Sequence, residues 1–226
     1  MTLFDELHSL SLAIAPELAD SGLLILEHQE GWLCPRGCTA YAQRGKSLSI
    51  RDYLMAADRW PGSWGSYVVF TSTIPDWKKA VGILLHELGH LLPAEPPIPD
   101  ETEPPTEAQK GFQSGQIAGW LAASAGRDHV PWSGHDAIFI RRCLHLIHRA
   151  EALGVDVSLK DVNVAGSCYA LSDWDAYQMR LATEPLRFRG KTFSEIDQTP
   201  PPPKFAELFA SDVGRFTYSR LMEPKQ

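Results

Sequence analysis

Two rhythms of apolar residues alternate along the first hundred positions. Leu3, Phe4, Leu7 and Leu10 recur at helical spacing behind Thr2, a residue suited to capping, and predict a first helix punctuated by Pro16 and Gly22. The runs LLILE at 23–27 and TAYAQ at 39–43 predict short strands on either side of the turn CPRGC. Ser49 and Asp52 make a Ser-x-x-Asp capping pattern that opens a helix through YLMAADRW, and PGSWG at 61–65 stops it. SYVVFTST at 66–73, rich in Val, Thr and aromatics, predicts another strand. Ser72 or Thr73 is then expected to cap a helix with Pro75 near its first turn, Asp76 helping the dipole and Pro93 at its end.

Polar and proline-rich stretches punctuate the second half of the chain. PAEPPIPDETEPPTE places six prolines and five acids in fifteen residues, which predicts an exposed, extended insertion over 93–110. SGQIAGWLAASAG at 114–126 suits a helix of small residues, and a stronger helix is expected from Ser133, with Asp136 completing its capping box, to Gly154. Ser172 can cap a helix through DWDAYQMRLAT. Four prolines at 200–203 mark a linker before KFAELFASDVGRF, a final docking helix with Phe205, Leu208 and Phe209. No internal repeat is present. The pattern is that of an α+β protein: one domain over 1–195, then a Pro-rich linker and helical tail over 196–226.

Composition narrows the function only slightly. A formal net charge of −7 argues against nucleic-acid and anionic-membrane partners. No apolar run approaches the roughly 20 residues that span a bilayer. The opening MTLFDELHSL, acidic and without early Lys or Arg, is unlike a secretory signal, so the expected location is cytoplasmic. Cys34 and Cys38 make a C-x3-C pair, but Cys143 and Cys168 do not repeat that spacing. The four are read as plain thiols, with a metal or redox role for Cys34 and Cys38 as the alternative.

The chemistry concentrates in VGILLHELGHLLP at 81–93, where His86, Glu87 and His90 interrupt the most apolar run of the chain. Ionisable groups in such a run are costly to bury unless something binds them. On a helix, residues four apart are offset by about 40° and about 6 Å, so both imidazoles lean toward one point and can share a tetrahedral Zn²⁺. Glu87, beside the first ligand, is placed to take a proton from a zinc-bound water. The competing reading is an amphipathic helix with two satisfied histidines and a surface glutamate.

A third ligand must come from elsewhere. His135, Phe139, Cys143, Leu146, Ala150 and Leu153 form one apolar face, and His135 sits at its N-terminal end, pointing toward the core. Asp136 is the rival ligand, with Glu101, Asp173 and Asp175 behind it. His145 falls on the His135 side and is a candidate to support the site. With His148, Arg141, Arg142 and Arg149 it can also be read as part of a solvated face.

HELGH together with GHDAIFIRRCL resembles the zincin metallopeptidases, and within them the SprT-like group, in which a helix beginning H-G-x-x-F follows the H-E-x-x-H helix. The resemblance implies a zincin-like fold, a small sheet packed on an active-site helix with further helices. It implies His86, His90 and His135 as zinc ligands and Glu87 as catalytic base and acid, with Phe139 at the aromatic position. It covers only the two motif helices. Asp136 departs from the small residue expected after the histidine, and the 44 residues between His90 and His135 make a long spacer. No Cys-rich ribbon or basic tail is present after them. The implied activity is hydrolysis of peptide bonds in a protein or peptide substrate, with no nucleic acid or membrane involved. The alternatives are a structural zinc protein that binds partners through its Pro-rich segments, and a non-peptidase zinc hydrolase.

Overall fold

The structure is a computed structural model that describes residues 2–32, 38–71, 74, 76–100, 137–162 and 191–210. The chain divides into two units, Met1–Thr102 with Leu146–Val162, and Glu103–His145 with Asn163–Gln226. Helix and strand are mixed, as α+β requires.

The first unit opens with α1 (Leu3–Ile14), closed at its start by a reciprocal capping box between Thr2 and Asp5. A 3₁₀ turn over Pro16–Ser21 and the left-handed Gly22 lead into β1 (Leu24–Glu27). β2 (Ala40–Arg44) and β4 (Ser66–Phe70) complete a three-stranded sheet in the order β1-β4-β2. β1 runs parallel to β4, pairing Ile25 with Val68, while β2 runs antiparallel to it, pairing Ala42 with Val68. β4 is buried along its whole length because it lies between two strands and has apolar neighbours on both faces.

Alternation sorts those faces. Tyr67 and Val69 join Leu26, Trp32 and the buried Ile50 and Leu54 of α2 (Leu48–Ala56) in one cluster. Phe70, on the opposite face, meets Phe4 of α1 with ring centroids 6.0 Å apart. That second face also carries α3 (Trp77–Leu91), which packs on β2, β4 and α1. α2 begins two residues earlier than expected, after Ser47, so Ser49 lies inside the first turn and caps nothing. α3 begins later than expected: Asp76 is itself the cap, its carboxylate accepting from Lys79 N–H at 2.8 Å.

The Pro-rich stretch is anchored at its start. β5 (Ile98–Pro99) pairs antiparallel with the two-residue β3 (Ser63–Trp64), a strand inside the expected turn. Asp100 accepts from Arg51 Nε at 2.8 Å and from Trp64 Nε1 at 2.9 Å. Two strand residues and two charge-assisted contacts therefore hold a segment whose composition reads as loop. At the other end of α3, Arg44 reaches from β2 to the carbonyls of Leu91 and Pro93, satisfying acceptors that a helix end leaves open.

α4 (Ala137–Ala152) is the later strong helix. It ends as expected at Gly154, whose φ is +81°. Val155 N–H returns to Ala150 and Gly154 N–H to Glu151, a Schellman closure. In the first unit its last turns bury Leu146, Ile147 and Ala150. Arg149 there holds Glu17 through two contacts of 2.9 Å and also donates to the Ile14 carbonyl.

In the second unit, α5 (Phe193–Gln198) is a helix the pattern did not announce, although Thr192 and Glu195 close a capping box. α6 spans 203–210, with Phe205 fully buried and stacked on Phe209. The helices expected at 114–126 and after Ser172, and the start of the helix at Ser133, lie outside the described residues. So do Cys34 and Cys168. Among the described residues, Cys38 and Cys143 form no disulfide, and no helix is long and apolar enough to cross a membrane.

Candidate active site

α3 forms because its apolar positions recur at helical spacing: Ala80, Val81, Leu84, Leu85, Leu88 and Leu91 are all buried. That burial carries the polar triad of HELGH with it. Taking 100° per residue from His86, His90 stands at about 40° and Glu87 at about 100°, so the three share one side of the helix. The His86 and His90 rings lie 5.3 Å apart between centroids and nearly perpendicular.

His86 is oriented by Val162. Its Nδ1–H donates to the Val162 carbonyl at 3.1 Å, which fixes the proton on Nδ1 and puts the ring's lone pair on Nε2, the atom that could bind a metal. Burial pushes the imidazole's pKa down to about 4, against the opposing pull of the Val162 carbonyl. Its ring is therefore neutral at pH 7, the form that binds a metal.

Glu87 lies on the opposite flank of the triad, only 7 % exposed. Burial pushes its carboxyl up to about 8, while a hydrogen bond from the Ala42 backbone N–H pulls the other way. Ala42 belongs to β2, the outer strand beside α3. The helix is thus flanked by β2 on the Glu87 side and by the 156–162 segment on the His86 side.

Two imidazoles are the right donors for two of the four positions of a tetrahedral zinc site, and the neutral, Nδ1-anchored His86 fits that use. Among the described residues no group of three or more potential metal ligands assembles. His135, the expected third ligand, and Asp136, its rival, lie outside the described residues, as do Glu101, Asp173 and Asp175. His145 is placed: it is buried in the second unit, its ring edge-on to Phe193 at 5.3 Å. The alternative reading of a solvated face does not hold for His145 and Arg141. Arg141 and His145 are 3 % and 4 % exposed, Arg142 makes a two-pronged contact with Asp197, and Arg149 binds Glu17.

Sequence reasoning missed the backbone partners, Val162 for His86 and Ala42 for Glu87. Neither carries a side-chain signal, because a carbonyl and an N–H are present at nearly every residue. Comparison with protein families, curated proteins and solved structures found no match for this chain.

Proposed function

We propose that the protein is a zinc-dependent peptidase of the zincin kind, with His86 and His90 as two of its metal ligands and His135 as the third. The observation that supports this reading is the juxtaposition on α3. A buried carboxyl oriented by a backbone N–H stands beside two imidazoles, one of them held in a metal-binding tautomer by a backbone carbonyl. A surface helix with satisfied histidines has no use for burying the glutamate.

Zinc bound there would polarise a scissile carbonyl and make water acidic enough to lose a proton near neutral pH. Glu87, a neutral acid in the metal-free fold, would be kept ionised by the charge of the bound cation and so take this proton and return it to the leaving amine. Ala42 N–H holds the carboxylate toward β2, and the apolar flank of α3 keeps bulk water from screening it. His86 stays neutral, so no proton competes for its ligating nitrogen.

Two measurements test the reading together. Zinc per chain, by elemental mass spectrometry, should be about one in the wild type and clearly lower in His135→Ala. Retention in that variant moves the third ligand to Asp136 or a loop acid. Glu87→Gln should keep its zinc and lose hydrolysis of a broad peptide library by about 100-fold or more, the scale of general-base catalysis. A folded wild type that takes up no zinc from solution ends the proposal, as does a zinc-loaded Glu87→Gln with full activity.

A further inference from the structure

Lys78, Gly82 and His86 lie four residues apart, on one stripe of α3 about 12 Å long. All three meet the same piece of chain. Lys78 Nζ contacts Asp156 at 3.0 Å and Asp161 at 3.9 Å. Gly82 lies against the Asp161 backbone so closely that an added Cβ would stand 2.2 Å from its carbonyl oxygen. One turn further on, His86 Nδ1–H reaches the Val162 carbonyl at 3.1 Å.

The segment is itself closed. Gly154 turns the chain out of α4, and Val157 and Val162 bury their side chains. Asp161 accepts from Ser158 N–H at 2.9 Å and from its hydroxyl, while Asp161 and Val162 N–H both return to the Ser158 carbonyl. The 158–162 turn therefore has little freedom, and the direction of the Val162 carbonyl is set within it.

We infer that residues 156–162 are a positioning strap for His86: the Asp161 turn, seated on Gly82, aims the Val162 carbonyl so that His86 keeps its proton on Nδ1 and presents Nε2. This rests on the reading of His86 as a metal ligand, and it adds a specific element that prepares the ligand before metal arrives. Gly82 and Asp161 act through His86 and Val162 and are positioning residues. Gly82 has this role because any side chain there displaces the turn; Asp161 has it because its carboxylate closes the turn.

The test uses full-length protein with ¹⁵N-histidine, compared with Gly82→Ala and the milder Asp161→Ala. Two quantities are read, the tautomer of His86 in metal-free protein by imidazole nitrogen shifts, and the zinc dissociation constant by chelator competition. The strap requires a single Nδ1–H tautomer in the wild type, a mixture in folded Asp161→Ala, and zinc affinity lowered by about 10- to 100-fold there, the usual effect of losing a ligand's hydrogen-bond partner. A wild-type tautomer already mixed, or one unchanged in both folded variants with zinc affinity within about twofold, overturns it. If the wild type binds no zinc, the peptidase reading fails, while the metal-free tautomer still decides the strap. Should Gly82→Ala not fold, Asp161→Ala carries the comparison.

Discussion

Replacing Glu87 by Gln in chelator-treated protein exposes how the site shapes stability. Glu87 titrates near 8 in the fold against an ordinary 4.5. The folded protein therefore holds this proton more tightly than the unfolded chain, and the stability it brings is full below pH 4.5 and lost as pH rises through about 8. At about 1.36 kcal/mol per pH unit the total is about 5 kcal/mol, undiscounted because the carboxyl is buried. His86 runs the other way. Its folded value of about 4 lies below the ordinary 6.5, so its stability is present above pH 6.5 and lost as pH falls toward 4. Between 4.5 and 6.5 the two slopes cancel; above 6.5 only Glu87 is left. Metal-free wild type should thus give up about 2 kcal/mol of unfolding free energy between pH 6.5 and about pH 9, and Glu87→Gln should not. Urea unfolding of both proteins at the two pH values, in chelator, measures the difference directly. An equal pH response in the two proteins would refute the argument that Glu87 is buried as a neutral acid.

Four other outcomes are expected from contacts in the fold. On the proposed reading, His90→Ala should lose zinc while far-ultraviolet circular dichroism reports unchanged helix, since the ring stands beside His86 and not in the apolar seam of α3. Asp76→Ala removes the α3 cap and should cost about 1 kcal/mol in chemical denaturation, with Asp76→Asn or Asp76→Ser recovering most of it. Gly154→Ala meets no atom within 4 Å but must adopt φ +81°; a loss of about 1 kcal/mol, smaller in Gly154→Asn, is expected from the same assay. Arg149→Met should destabilise by about 1–3 kcal/mol through the partly buried Glu17 contact, and Glu17→Gln in that background should add little in a double-mutant cycle.

Local signals announced the elements that local chemistry makes. Thr2 with Asp5, the run 66–70, and the apolar stripe of α3 were all legible because capping and periodicity act within one or two turns. Errors arose where two adjacent signals competed. Ser72 and Thr73 resemble caps as much as Asp76 does, and only the geometry selects the last. Ser49 and Asp52 match a capping box, yet Ser47 starts the helix. β5 was hidden because its pairing with β3 overrides a composition that reads as loop. α5 was within reach, since Thr192 and Glu195 spell its capping box. At the proposed site, the candidates His86, Glu87 and His90 were visible, and the backbone groups that contact His86 and Glu87 were not. Those depend on tertiary approach across long stretches of chain.

The contact between His86 and Val162 joins positions 76 apart in the sequence. During synthesis, α3 is therefore complete long before the residue that orients its first histidine exists. A chain stopped before Val162 lacks this acceptor for His86. Closing a flexible loop of that length costs on the order of 4 kcal/mol in entropy. Burial of α4's last turns and the contacts of Arg149 with Glu17 and the Ile14 carbonyl bring the chain back and offset that cost. The contact from His86 to Val162 can therefore exist only once the 156–162 segment has been made and has reached α3.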